Sequence, residues 1–263
     1  MLKQAILRIV KIGLIVIFQL IHIVFRNKNI DEATGDFITG ESLVIKKILR
    51  KYVKTEKPTL FDVGANEGYY SMKLRKVFPS AHIYAFEANA HTLAKIQESF
   101  KKEKINFFNI GLASSTGTGT LYDHTDKLGS EHASVYKDVI TTTHGNKDYT
   151  EIHFKKDTLD HFCGEHNIQK IDFIKIDTEG SELDILKGAK RMLAEQKIDI
   201  IQFEFNSMNV ISRVFLKDYY DLLVNFDIYR IEWSGLAPLP IYTADNEVFK
   251  YQNFLAINKK LKI

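Results

Sequence analysis

The chain has 263 residues, 45% of them hydrophobic, enough for one sizeable α/β core with an attachment. Its formal net charge of +3 is small and no Lys/Arg block stands out in the main body of the chain, so nucleic acid is not an attractive partner. The single cysteine, Cys163, excludes an intrachain disulfide and suits a reducing compartment, while His161, Cys163 and His166 lie too close in sequence to close a tetrahedral zinc site.

From Met1 to Phe25 the chain is largely Leu, Ile, Val and Phe. On a helix, Gln4, Arg8, Lys11, Gln19, His22 and Arg26 form one narrow polar stripe. The longest uncharged apolar stretch, Ile12 to Phe25, is too short to span a bilayer comfortably, and no small-residue cleavage site follows it. A helix lying in the membrane interface, a tilted span, and a helix packed on protein all stay open; the basic stripe on an apolar body favours the first. Residues 1–26 are therefore expected as a membrane-associating helix and residues 27–40 as a polar linker. A catalytic domain is expected over 41–263, opening with an amphipathic helix over Glu41 to Val53 whose face is Leu43, Val44, Ile48, Leu49 and Tyr52.

Thr59 to Val63 reads as a buried parallel strand ending beside an acid, Asp62. Gly64, Asn66 and Gly68 follow before a helix begins near Tyr69. Glycines at a strand-to-helix turn let the main chain approach a ligand closely. A dinucleotide loop needs Gly-x-Gly-x-x-Gly to seat a pyrophosphate; here Asn66 holds the middle position and the last glycine comes one residue early. Asp62 suits an amine better than a phosphate. The loop fits an amino-acid moiety, as in S-adenosylmethionine. The next strand, His82 to Phe86, leads to Glu87, 19 positions beyond Gly68 and placed to accept hydrogen bonds from ribose hydroxyls.

A helix over Ala90–Phe100 and a strand over Ile105–Gly111 come next. Residues 113–156 then break the rhythm with Thr- and Gly-rich runs and with His124, His132, His144 and His153, the composition of hairpins and loops forming a lid or acceptor wall. Ile171 to Leu186 contains Ile-Lys-Ile-Asp-Thr-Glu-Gly-Ser-Glu, and Ile198 to Asn206 ends Glu-Phe-Asn. Ser181 with Asp184 makes a capping signature for the helix that carries Leu183 and Leu186. Strand–helix alternation predicts a mostly parallel sheet with helices on both faces. Ligands in such folds sit at the carboxyl ends of the strands, where Asp62, Glu87, Asp177 and Glu204 fall, with Glu179 close by.

The Asp-Val-Gly-Ala-Asn-Glu-Gly-Tyr loop, the Phe-Glu-Ala-Asn strand end, the Ile-Lys-Ile-Asp-Thr-Glu-Gly-Ser-Glu run and the Glu-Phe-Asn end together resemble the FkbM family over roughly Leu60 to Asn206. The resemblance implies an S-adenosylmethionine-dependent methyltransferase, and many members of that family are thought to methylate sugar hydroxyls. It also implies a Rossmann-like class I methyltransferase fold, with a mostly parallel seven-stranded sheet and an antiparallel C-terminal strand. Ala88 departs from the proline that relatives often carry after the ribose-binding glutamate.

Methyl transfer to a hydroxyl requires loss of the hydroxyl proton. Asp177, Glu179 or Glu204 could take it, or the three could hold a divalent cation such as Mg²⁺ that acidifies the hydroxyl. His153 is a further candidate base, and Lys175 is expected to pair with Asp177. Together these features predict an O-methyltransferase acting on a glycan or glycolipid, cytoplasmic and peripheral on the inner face of the membrane. The alternatives are a non-catalytic nucleoside-binding scaffold and an NAD-dependent dehydrogenase.

Overall fold

The computed structural model describes residues 40–261, apart from 126–128, 131, 144, 146, 147 and 233. The expected N-terminal helix and nearly all of the linker lie outside the described residues. The first helix, α1, runs through Glu41–Leu43, a π-helical Val44–Leu49 and Arg50–Tyr52. The wider π turn puts Val44 and Leu49, five residues apart, on the same buried face and turns Ile45 inward, while the expected Ile48 is only partly buried.

A parallel run follows: β1 (Thr59–Val63), α2 (Tyr69–Val77), β2 (His82–Phe86), α3 (Ala90–Ser99) and β3 (Ile105–Phe108). Next come β4 (Gly111–Leu112), β5 (Gly117–His124) and β6 (Tyr149–Asp157), which form a separate three-stranded sheet in the order β4-β6-β5. The main sheet resumes with α4 (Leu159–Glu165), β7 (Phe173–Ile176), α5 (Glu182–Lys187), α6 (Lys190–Ala194) and β8 (Ile200–Phe205). It closes with α7 (Met208–Ser212), α8 (Leu216–Leu222), β9 (Phe226–Glu232), β10 (Gly235–Pro238) and β11 (Gln252–Asn258).

The main sheet has the order β10-β9-β11-β8-β7-β1-β2-β3. Strands β3, β2, β1, β7 and β8 are mutually parallel, and β11 enters antiparallel between β8 and β9. The sheet therefore has eight strands where seven were expected. The addition is β10, which folds back on β9 as an antiparallel edge hairpin. Alternation along the central strands divides the core. Leu60, Phe173, Ile200 and Leu255 pack under α1 and α2, whereas Phe61, Ile174, Ile201 and Phe203 face α4, α5, α6 and α8.

Two local expectations are corrected. Ser181 makes no cap for α5; Glu182 instead folds back so that its Oε1 accepts from Thr178 N, Thr178 Oγ1 and Gly180 N, while Asp184 accepts from Ser114 N. The domain also carries a basic block after all. Lys46, Lys47, Arg50, Lys51, Lys54 and Lys57 are exposed along and just beyond α1, and none makes an ion pair among the described residues.

Candidate active site

The same alternation builds the floor of the site. Asp62, Lys175 and Gln202 stand side by side across β1, β7 and β8, on the face covered by α2. Three polar side chains in a row there need partners, and α2 supplies them. Ser71 Oγ donates to Asp62 Oδ2 at 2.6 Å and Tyr70 Oη donates to Gln202 Oε1 at 2.8 Å. The Lys175 ammonium lies 4.7 Å from the Tyr70 ring centre and 3.0 Å from Asp177 Oδ2. Asp177 follows the end of β7 and Glu204 is near the end of β8, so both rise above this row at the carboxyl edge of the sheet.

A cavity of about 550 Å³ opens at that edge, large enough for a nucleoside-sized ligand. Its wall includes Gly64, Asn66, Glu87, Asp177, Glu179 and Glu204, so one cavity brings together six of the residues expected at the site. Gly64, at φ +79°, has no room for a side chain: a Cβ there would lie 1.8 Å from Asp177 O. Asp62 and Gly68 are set back from the wall. Asp62 is fully buried beneath α2, and Gly68, at φ +78°, starts α2 against the ring of Phe100.

Four of the five amides of the Gly64–Gly68 turn are already used. Gly64 N and Ala65 N both donate to Phe86 O, Asn66 N donates to Glu87 Oε2 at 3.0 Å, and Gly68 N donates to Ala65 O. A pyrophosphate cradle requires such N–H groups to point at the ligand. This geometry therefore argues against the dinucleotide reading. Glu87 also accepts from Asn89 N at 2.8 Å, and each carboxylate oxygen keeps a second lone pair for a ribose hydroxyl. Burial raises the Glu87 pKa, partly offset by the Asn89 and Asn66 amides. Asn109 Nδ2 donates to the carbonyls of Glu87 and Ala88, which holds the turn at the position where relatives often have proline.

Asp177, Glu179 and Glu204 each present a carboxylate oxygen within 4.8 Å of the others. Burial, the Asp177 charge and a hydrogen bond to Asp177 push Glu204 well above the usual carboxylate range. Burial opposes ionisation of Asp177 as well, but Lys175 and the bond from Glu204 outweigh it and hold Asp177 low. Glu204 is thus the weaker acid of this pair, and its Oε1 accepts from Asn206 Nδ2 at 2.8 Å. Glu179 occupies the left-handed region at φ +55°, where a side chain other than Gly is strained, beside Gly180 at φ +106°.

The second sheet and the segment after β5 supply the opposite wall. Asp123 accepts from Gly129 N, Ser130 Oγ and Asn89 Nδ2, tying this segment to the start of α3. Ser134 Oγ donates to Glu179 O, and His132 Nδ1 lies 3.9 Å from Glu179 Oε1. Among the described residues, His132 is thus the histidine that reaches the carboxylates. His153, the expected candidate, is on the exposed side of β6 beside Thr120 and does not line the cavity. Residue composition alone does not separate the two, because reach depends on how the segment between β5 and β6 folds back. Glu41, Tyr69 and Tyr251, which the sequence reading also passed over, line the cavity.

A five-stranded parallel run with an antiparallel strand inserted next to its last member, and a nucleoside-sized cavity at its carboxyl edge, define a class I S-adenosylmethionine-dependent methyltransferase. The chain belongs to the FkbM methyltransferase family: residues 62–223 match the Methyltransferase FkbM domain. It is 20% identical over 195 residues to 2-O-methyltransferase NoeI of Sinorhizobium fredii, covering 71% of this chain and 79% of NoeI. It is 25% identical over 167 residues to hexuronic acid methyltransferase AglP of Haloferax volcanii, covering 63% of each. Methyltransferase FkbM from Methylobacillus flagellatus aligns in structure over 76% of this chain and 44% of that chain, with a TM-score of 0.46 and 16% identity.

Proposed function

We propose that this methyltransferase transfers the methyl group of S-adenosylmethionine to a sugar hydroxyl of a glycan or glycolipid. The observation that carries the reading is the convergence of Asp177, Glu179 and Glu204 on the cavity that Gly64, Asn66 and Glu87 also line. The cofactor, when bound, supplies an electrophilic methyl on a sulfonium centre. Glu87 would hold the ribose hydroxyls, and the Gly64–Gly68 turn would lie against the methionine part. Glu179 is the base that takes the acceptor proton: its strained backbone aims it into the cavity, and His132 stands next to it. Asp177 stays ionised on Lys175 and, with Glu204, orients the acceptor hydroxyl. The names of NoeI and AglP, one a 2-O-methyltransferase and one acting on a hexuronic acid, support oxygen as the methylated atom and a sugar as the acceptor. Transfer of label from methyl-labelled cofactor into a cell-envelope glycan fraction tests the reading; binding of cofactor without transfer to any fraction would leave only the non-catalytic nucleoside-binding alternative.

The spacing of the three carboxylates favours a second version of the same chemistry, in which they hold a hard divalent cation such as Mg²⁺ that would acidify the hydroxyl. Activity that survives EDTA selects the base, and activity restored by Mg²⁺ after EDTA selects the cation.

Placement on the cytoplasmic face of a membrane belongs to the same proposal. No helix among the described residues is long and apolar enough to cross a bilayer. The exposed cations from Lys46 to Lys57 follow closely on the apolar segment 1–25, and such a basic run is attracted to anionic lipid. Full-length protein should sediment with vesicles containing phosphatidylserine and release in high salt. Equal recovery with neutral vesicles, or none with either, removes the surface-binding role of α1.

A further inference from the structure

We propose that the outer part of the cavity is an acceptor subsite for a sugar ring bearing no anionic group, held between Tyr69 and Tyr251. The inference rests on the sugar-directed reading above and adds to it the charge class of the acceptor and the residues that select it.

Tyr69 opens α2 just after the glycine loop, and Tyr251 immediately precedes β11. In the sheet order β11-β8-β7-β1, the two tyrosines flank the ends of β8 and β7, where Glu204 and Asp177 stand. Both line the cavity, yet they are 57% and 53% exposed. Large aromatic side chains left in water at the rim of a catalytic cavity are surfaces waiting for an apolar or C–H-rich face. A pyranose ring presents such a face: its axial C–H groups are weakly positive and pack on the negative face of an aromatic ring. Asn253 Nδ2 donates to Tyr251 Oη at 3.1 Å, which fixes the ring at the edge of the site.

The charge of the lining gives the second part of the inference. Among the described residues Glu41, Glu67, Glu87, Asp177, Glu179 and Glu204 line the cavity, against two lysines and no arginine. Both lysines face carboxylates of the same cavity: Lys175 is 3.0 Å from Asp177 and Lys73 is 3.9 Å from Glu41. The third group able to carry positive charge, His132, faces Glu179. A uronate or a sugar phosphate would bring its charge beside these carboxylates, with no arginine among the described lining residues to receive it, which penalises the wrong partner. A neutral sugar pays no such penalty, and an amino sugar gains from the field.

The full-length enzyme is supplied with methyl-tritiated S-adenosylmethionine and a panel of immobilised oligosaccharides matched in linkage: neutral, amino, uronic and phosphorylated. Label is expected in the neutral or amino members, with kcat/KM at least about tenfold above the uronic and phosphorylated counterparts. Tyr251→Ala should raise the acceptor KM by about fivefold or more, with cofactor affinity unchanged, and Tyr251→Phe should restore most of the loss. Equal or better labelling of the acidic members, or an unchanged KM in Tyr251→Ala, overturns the inference while leaving sugar methylation standing. Cofactor binding with no label in any sugar overturns the sugar reading itself, and this inference with it.

Discussion

The two edges of the central sheet both gather acids, and they treat them in opposite ways. At the amino edge Asp172 and Asp199 are buried, and each is answered: Lys170 Nζ is 2.9 Å from Asp172 and 2.6 Å from Asp199, while Lys260 is 2.9 Å from Asp199. Asp172 also accepts from Thr59 N and Thr55 Oγ1. At the carboxyl edge Asp177, Glu179 and Glu204 crowd together: Lys175 meets Asp177, His132 faces Glu179, and Glu204 lies against Asp177, with burial and that charge raising its pKa. Acids matched one by one with cations tie strands together. Acids crowded against each other around a cavity store electrostatic strain, which a structure keeps where a site needs it. We propose that the lower cluster is architecture and the upper cluster chemistry.

Substitutions should separate these roles. The largest effect is expected from Glu179→Gln, which should lower kcat by about 10²- to 10⁴-fold. Its cofactor affinity should be unchanged, and its melting temperature equal to or above that of the parent, because one charge of a repelling group is gone. Calorimetry, steady-state kinetics and thermal melts check the three parts; a loss of stability would move Glu179 into the architectural class. Glu87→Ala should weaken S-adenosylmethionine binding by about 1.5–3 kcal/mol, since it removes a charged acceptor and also frees the Asn66 and Asn89 amides from their anchor. Unchanged affinity in a folded variant removes Glu87 from the ribose site.

At the lower edge, Lys170→Met should cost about 1–2 kcal/mol of stability in urea unfolding, a modest figure because this lysine is 43% exposed and Lys260 still serves Asp199. Its kcat and KM should match those of the parent, and a kinetic defect would erase the contrast between the edges. The last prediction concerns Glu182, which burial lifts to about 7 despite the amides of Thr178 and Gly180. The folded state binds this proton more tightly than the unfolded chain, whose value is near 4.5. The stabilisation is therefore complete below the unfolded value and is lost as pH rises through about 7. Glu182→Gln should flatten that decline in a pH series of unfolding curves, and an unaltered slope would assign it to other groups.

How much of this was legible in the sequence depended on whether a residue's neighbours are set by strand register or by loops. Period-two alternation and the positions of strand ends place Glu87, Asp177 and Glu204 at one edge, and Lys175 beside Asp177. The π turn in α1 escaped because hydrophobic spacing was read at the α period, which selects Ile48 over Ile45. Glu182 displaced Ser181 at the start of α5 because a longer acid can fold back over Gly180, an option that motif spacing does not show. His132, Tyr251 and Glu41 reach the cavity through segments whose paths are fixed by tertiary contacts such as Asp123 to Gly129 and Ser130. No local pattern marks them. Asp62 failed in the other direction: it stands at a strand end, but its parity turns it under α2, to Ser71.

The most direct test of the account is the chemical identity of the product. After incubation of the full-length enzyme with methyl-labelled S-adenosylmethionine and a neutral oligosaccharide that accepts label, the product is hydrolysed and the methylated sugar examined by NMR and mass spectrometry. The account predicts a methyl ether at a ring hydroxyl, stable to mild base, formed by the parent enzyme and nearly absent with Glu179→Gln at saturating cofactor. A base-labile methyl ester, an N-methyl product, or near-normal ether formation by Glu179→Gln would contradict it.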